Sequence, residues 1–125
     1  MKVLIVEDDN SARDASMRYL DHIGYEVRAA ASVIEAELVA AGYRPDVAIC
    51  DWRLGGERDG AQLARELQKK YGSCIIFVTA HPLHDLRRTT QDLKVARYLR
   101  KPISLSVLVK ILESIHLVPR QPGTA

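Results

Sequence analysis

Five short apolar runs punctuate the chain. Each leads into polar residues and then into a longer stretch with apolar positions at helical spacing. The first run is Lys2-Val3-Leu4-Ile5-Val6. The second is Tyr25–Ala30. The third is Asp46-Val47-Ala48-Ile49-Cys50-Asp51, and the fourth is Cys74-Ile75-Ile76-Phe77-Val78. The fifth spans Val95–Leu99. The third, short and apolar at consecutive positions, reads as a strand buried on both faces, as inside a parallel sheet.

The intervening stretches predict helices. After the first strand, Asp9, Asn10 or Ser11 can cap a helix in which Ala12, Ala15, Tyr19, Leu20 and Ile23 recur at helical spacing; Gly24 ends it. Ser32 and Glu35 form a capping-box pattern, with Ile34, Leu38 and Ala41 as the expected buried stripe and Gly42 as the stop. Trp52–Gly60 has three glycines in nine residues and reads as a loop. Ala61–Tyr71 is helical and closed by Gly72, Leu83–Asp92 is a shorter helix, and Ser104–His116 is the last. Five strands alternating with five helices give an α/β fold. Its sheet is parallel and doubly wound, with right-handed crossovers and helices on both faces.

A chain of 125 residues suits one domain with a real core. The expected domain covers residues 1–117, and residues 118–125, with two prolines and a glycine, read as a flexible tail. A net charge of +2 and a pI near 8.6 are too mild to argue for direct nucleic-acid binding. Cys50 and Cys74 both lie in apolar runs and read as buried small hydrophobes in a reducing compartment. Met1-Lys2 enters the first strand directly, and no apolar run approaches the ~20 residues of a membrane span. The expected location is therefore cytoplasmic, with no membrane partner.

Chemistry enters at the strand ends. Glu7 and Asp8 follow the first strand, Asp51 ends the third, Thr79 follows the fourth and Lys101 follows the fifth. Taken alone, an Asp at the end of a strand is equally a turn starter. In a parallel sheet, however, these ends share one edge, where ligands of open α/β sheets collect. Three carboxylates gathered there repel one another, and such oxygen-rich clusters suit Mg²⁺. A lysine and a hydroxyl beside them add a charge and a hydrogen bond for an anion. The set reads as a place where a phosphoryl group lands on Asp51, an aspartyl nucleophile.

Four motifs carry a family resemblance: Val-Glu-Asp-Asp at residues 6–9, Ile-Cys-Asp at 49–51, Val-Thr-Ala at 78–80 and Tyr-Leu-Arg-Lys-Pro at 98–102. Together and in this order they resemble the receiver domain of two-component response regulators, from Lys2 to about Ile115. The resemblance implies a flavodoxin-like (CheY-like) sheet in the order 2-1-3-4-5. It implies that Asp51 is the phosphoacceptor. Mg²⁺, or Mn²⁺ in its place, would be held by Glu7, Asp8, Asp51 and the Arg53 carbonyl. Thr79 would hydrogen-bond the phosphoryl group and Lys101 would pair with it. Tyr98 resembles the switch aromatic that turns inward with Thr79, and the Lys101-Pro102 bond is cis in the family. Arg53 and His81 occupy positions that tune hydrolysis in the family. One departure stands out: Leu54 is followed by Gly55-Gly56, and Asp59-Gly60 arrives one residue late. A longer, more mobile loop is the expectation.

These implications define a phosphoacceptor rather than an enzyme, one that assists its own phosphorylation and dephosphorylation. The donor is expected to be a histidine kinase or phosphotransfer protein docking near Arg13, Asp14 and Met17. Arg87, Arg88, Arg97, Arg100 and Lys110 are either a solvated face or an effector and homodimer surface on the fourth helix, fifth strand and fifth helix. The reading is a single-domain regulator. Its alternatives are an unphosphorylated receiver-like module and a fragment of a DNA-binding regulator. A haloacid-dehalogenase-type phosphatase would need an acid where Arg53 stands. A nucleotide or flavin module would need a glycine-rich loop where Glu7-Asp8-Asp9 stands. His22, His84 and His116 lack ligand spacing and read as surface residues. Trp52 either packs on the loop or reports on metal binding.

Overall fold

The computed structural model describes residues 1–115. The expected tail at residues 118–125, and His116, lie outside the described residues. The elements run β1 (Lys2–Val6), α1 (Asn10–Ile23), β2 (Glu26–Ala30), α2 (Val33–Tyr43), β3 (Val47–Cys50), α3 (Gly60–Tyr71), β4 (Cys74–Thr79), α4 (Leu83–Thr89), β5 (Val95–Arg100) and α5 (Leu105–Ser114). The strands form one parallel sheet in the order β2-β1-β3-β4-β5.

Consecutive apolar residues in the inner strands supply two separate cores, because alternate side chains leave opposite faces of a strand. Leu4, Val6, Ala48, Cys50, Ile75 and Phe77 pack under Ala36 and Ala40 of α2, Leu63 and Leu67 of α3 and Leu86 of α4. Val3, Ile5, Val47, Ile49 and Ile76 pack under Leu20 of α1 and Leu108, Ile111 and Leu112 of α5. All four β3 residues are buried, as the central strand of such a sandwich requires. Cys50 sits in the first core, and burial followed by the neighbouring Asp51 charge pushes its thiol up to about 12. Cys74 is half-buried, and both cysteines are free.

The strand register aligns the ends that matter. Val6 pairs with Cys50, Cys50 with Phe77 and Phe77 with Tyr98. Backbone bonds continue the ladder beyond the strands. The Glu7 amide donates to the Ala30 carbonyl (3.0 Å), the Asp51 amide to Val6 (3.0 Å) and the Lys101 amide to Thr79 (2.8 Å). The chemistry-bearing residues are thereby held by the sheet rather than left on loose loops.

Local sequence determines most boundaries. Asp9 caps α1, accepting from the Ala12 amide (2.8 Å), and Gly24 closes it at φ 114°. Ser32 caps α2 by accepting from the Glu35 amide (3.1 Å), whereas the Glu35 carboxylate reaches past it to the Ala31 amide (3.3 Å). The expected stripe of α2 is wrong. Ile34 and Leu38 are 67% and 74% exposed, and Ala41 is exposed as well. The buried face is Val33, Ala36, Ala40 and Tyr43, whose hydroxyl donates to the Glu26 carbonyl (2.9 Å). This helix is apolar on every side, so periodicity could not choose a face, and small residues let it lie close to the sheet. Nor does Gly42 stop it. Arg44 takes the left-handed turn at φ 53°. On α1, Ala15 and Ile23 of the expected stripe are exposed, and Leu20 carries the deep burial.

The glycine-rich segment ends sooner than expected, because Gly60 already belongs to α3. Gly55 and Gly56 turn at φ 69° and 84°, where other residues are strained. They deliver Asp59 as the N-cap of a full capping box with Gln62. At Gly60 the helix start presses on the end of β3. A Cβ there would lie 1.8 Å from the Asp51 carbonyl oxygen and 3.1 Å from the Trp52 Cα. The neighbour is backbone and cannot swing aside. Gly60→Ala is therefore expected to lower stability by about 2–3 kcal/mol in urea unfolding. A native-like midpoint would contradict this packing.

Candidate functional site

Lys101 is the pivot of the site. Its ammonium donates to the Asp51 carboxylate (2.9 Å) and to the Glu7 carboxylate. Glu7 and Asp51 are each 8% exposed, so the two acids face one another in a partly dry setting with one cation between them. Asp8 is exposed at the rim. Glu7, Asp8 and Asp51 each offer an oxygen, and these oxygens lie within 4.8 Å of one another. This crowding fits a hard divalent cation, which accepts one or two carboxylates and keeps several waters for itself.

Electrostatics follows from that arrangement. Burial pushes the Glu7 carboxyl above the ordinary Glu value. The Lys101 hydrogen bond and the Asp9 amide offset part of the rise, and the Asp51 charge adds to it. Burial alone would lower the Lys101 ammonium, but its bonds to Glu7 and Asp51 outweigh burial and hold it above the ordinary lysine value. Lys101 thus contributes its full stabilisation below that ordinary value and loses it as pH rises through the higher folded one.

The remaining positions are distributed around this triad. Thr79 is fully buried at the end of β4, and its hydroxyl oxygen accepts from the His81 amide (3.3 Å). Tyr98 is half-buried one strand over and stacks on Phe77 with ring centroids 5.8 Å apart. Its hydroxyl pairs with the Thr90 hydroxyl (2.6 Å), and the Arg87 guanidinium covers its ring at 4.6 Å. Arg53 is exposed at the start of the loop. The Lys101-Pro102 bond is cis.

Two residues read from the sequence in other roles, Arg13 as a docking residue and Asp9 as a helix cap, also brace the site. Arg13 donates to the Glu7 carbonyl (3.0 Å) and to the Asn10 side chain (2.6 Å), bracing the β1–α1 turn. The Asp9 amide donates to the Glu7 carboxylate (3.2 Å) and helps hold it inward. Trp52, left open between two roles, is 5% exposed and packs in the core beneath the loop. No sequence signal marks these contacts beyond proximity to the acidic run. Beside the triad lies a cavity of about 280 Å³, walled by Ile5, Ile49, Val78 and Leu108 and roofed by Ala12 and Ser16 of α1. His22 and His84 are exposed.

Comparison with known proteins locates this arrangement. Residues 3–113 match the family model described as the response regulator receiver domain. The transcriptional regulatory protein PdtaR of Mycobacterium tuberculosis is 34% identical over 113 residues, which is 90% of this chain and 55% of that protein. A cyclic di-GMP phosphodiesterase of Thermotoga maritima is 33% identical over 86% of this chain and 29% of its own length. The chain thus spans about half or less of these curated relatives. Among solved structures, the chemotaxis protein CheY4 of Vibrio cholerae superposes with a TM-score of 0.83. It is 27% identical and covers 92% of this chain and 98% of its own. The N-terminal domain of a response regulator/sensory box/GGDEF protein from Carboxydothermus hydrogenoformans gives 0.80 at 31% identity, covering 90% and 91%.

Replacing Lys101 tests the triad directly. Lys101→Met leaves two buried carboxylates facing each other and is expected to cost about 2 kcal/mol in metal-free protein above the carboxylate range. Glu7, already raised, then rises further. Its folded form binds the proton more readily than the unfolded chain, so the deficit shrinks as pH falls through the Glu7 titration. Urea unfolding across that range measures it, and an equal deficit at both ends would contradict the geometry.

Proposed function

The chain belongs to the response regulator receiver domain family, and on that premise we propose that Asp51 is its phosphoacceptor. The observation that carries the reading is the Lys101 ammonium held on the Asp51 carboxylate at 2.9 Å, with two more acids in reach of the same space. The phosphoryl group moves from a histidine kinase or phosphotransfer protein to an Asp51 oxygen, and the donor nitrogen takes back the bonding pair. A divalent ion, Mg²⁺ or Mn²⁺, would be held by Glu7, Asp8, Asp51 and the Arg53 carbonyl. When bound it would neutralise charge on the transferred group. Lys101 keeps its ammonium for one phosphoryl oxygen, and the Thr79 hydroxyl donates to another. The chain acts in this way as a phosphoacceptor that promotes its own phosphorylation and dephosphorylation.

The gain of roughly −1.5 to −2 charge at Asp51 draws Thr79 and biases Tyr98 between two placements. In the described placement Tyr98 is latched to Arg87 of α4 and to Thr90, the residue that caps its C-terminal end, which couples the strand end to that helix. The donor docks over α1, where Arg13 and Asp14 flank Met17, which is 39% exposed. Output leaves through α4, β5 and α5, to an effector or a second copy of the chain. Arg88, Arg97, Arg100 and Lys110 are exposed there, so a partner bringing acidic side chains complements the face best.

No helix among the described residues is long and apolar enough to cross a membrane. The part of the relatives that this chain does not span leaves the activity of any larger protein as a separate proposal. A regulator acting through this domain alone and one carrying a DNA-binding part are both compatible with the site.

The test pairs chemistry with metal binding. Acetyl phosphate with Mg²⁺ should label the native protein and leave Asp51→Asn unlabelled. Mg²⁺ should also change Trp52 fluorescence in the native protein and in Asp51→Asn more weakly, and leave Asp8→Asn nearly unmoved. Equal labelling of native and Asp51→Asn protein would overturn the assignment. A fluorescence response indifferent to Asp8 would overturn the metal ligands.

A further inference from the structure

We propose that the outer face of α2 is a self-association surface. A second copy of this chain packs its own α2 there in the antiparallel direction, about a twofold axis at Leu38.

The face is apolar and uncovered among the described residues. Ile34 and Leu38, one turn apart, are 67% and 74% exposed, and no other large apolar side chain among the described residues exceeds 44%. Neither belongs to either core. Ala41 and Gly42 carry the same strip to the end of the helix, and both are exposed. The opposite side of α2, with Val33, Ala36, Ala40 and Tyr43, is the one buried in the fold. An aliphatic pair held in water at helical spacing gains this chain nothing by itself, and such strips mark contact surfaces.

Gly42 is a second and independent sign. It lies inside the helix, where alanine is the better residue. Its backbone is not left-handed; Arg44 takes that turn. Nor does packing demand a glycine, since a Cβ there would meet nothing within 4 Å. The chain keeps a notch that its own fold does not use. A neighbouring molecule coming close to the helix backbone would use it.

The strip is complementary to itself. Ile34 stands four residues before Leu38, and Gly42 stands four residues after it. A twofold axis through Leu38 therefore lays the Ile34 side chain of each copy on the Gly42 notch of the other and sets Leu38 against Leu38. Such a contact closes at two copies. Charge selects the direction. Glu35 stands in the first turn and Arg44 just past the last, and both are exposed. An antiparallel pair brings Arg44 of one copy level with the first turn of the other, where Glu35 stands, and it opposes the two helix dipoles. A parallel pair would set Glu35 beside Glu35. Glu37, on the flank of the strip, is already held by Arg58.

This pairing leaves the proposed output side free. α2 packs on β1 and β2, and β2 is one edge of the sheet while β5 is the other. Two joined copies would hold their α4, β5 and α5 surfaces outward. One helix per copy is a narrow contact, so the dimer is weak, with a dissociation constant on the order of 100 µM. The inference does not depend on Asp51.

Sedimentation equilibrium of the full chain, from about 10 µM to about 1 mM, reads the association. The mass should climb from one chain toward two and go no higher. Leu38→Glu sets two carboxylates face to face on the axis and should stay monomeric throughout. Because Leu38 is exposed, that variant should melt with the native protein. Gly42→Ala should act in two opposite directions. It should raise the thermal midpoint, because the helix gains, and weaken association at least about threefold, because the notch is filled. Glu35→Arg and Arg44→Glu should each weaken association about threefold, and the variant carrying both should recover it. Recovery requires the two positions to meet across copies, so a merely structural role for either would not give it. A native chain that stays monomeric at the highest concentration, association that survives Leu38→Glu, or a double charge variant no tighter than its parents would overturn the inference.

Discussion

An ammonium suspended between two buried carboxylates is the interaction on which this structure turns. Lys101 comes from the end of β5, Asp51 from the end of β3 and Glu7 from the end of β1. They meet because the sheet is parallel and its register brings those ends level. Each acid alone would be costly at that depth, and each leans on the lysine. The balance is incomplete, however. With Asp8 added, the site holds three carboxylates and one cation, an excess of negative charge that a divalent ion can correct. A structure in this condition is prepared to bind, and the Glu7 carboxyl, raised chiefly by burial and a little further by the Asp51 charge, shows what holding these acids at that depth costs.

The backbone gives this charge cluster its rigidity. The amides of Glu7, Asp51 and Lys101 all donate into neighbouring strand ends, so these three residues extend the ladder. Gly60 brings the start of α3 against the Asp51 carbonyl, closer than any side chain would permit. Asp59 then caps that helix and holds Trp52 with the same carboxylate. A displacement at Asp51 can reach α3 through this chain of contacts, and Tyr98 ties β5 to the end of α4 through the Thr90 hydroxyl and the Arg87 guanidinium. These are packed, hydrogen-bonded connections, the kind that have discrete alternatives rather than a continuum.

Most of the fold and the centre of the site were legible in the sequence, for one physical reason. Buried parallel strands leave unbroken apolar runs, and a parallel sheet sends all their ends to one edge. Glu7, Asp51, Thr79 and Lys101 could therefore be placed together before any coordinates. Tertiary preference without a local signature was not legible. On α2, apolar residues on all sides concealed that Val33, Ala36 and Ala40 face inward while Ile34 and Leu38 face water. Arg44, rather than a glycine, takes the left-handed turn, because the chain must reach β3 there. The glycine-rich loop looked merely longer, yet its geometry delivers Asp59 to two partners. A single side chain shared between a helix cap and an indole leaves no periodic trace.

Borohydride trapping reads directly where a phosphoryl group bonds. The reagent reduces an acyl phosphate at an aspartate to homoserine, and peptide mass spectrometry then finds the altered residue. Homoserine is expected at position 51 after treatment with a phosphodonor and a divalent ion, and not when the ion is withheld. Homoserine at position 8, or a phosphoryl group found on a histidine or hydroxyl side chain instead, would contradict the Asp51 assignment.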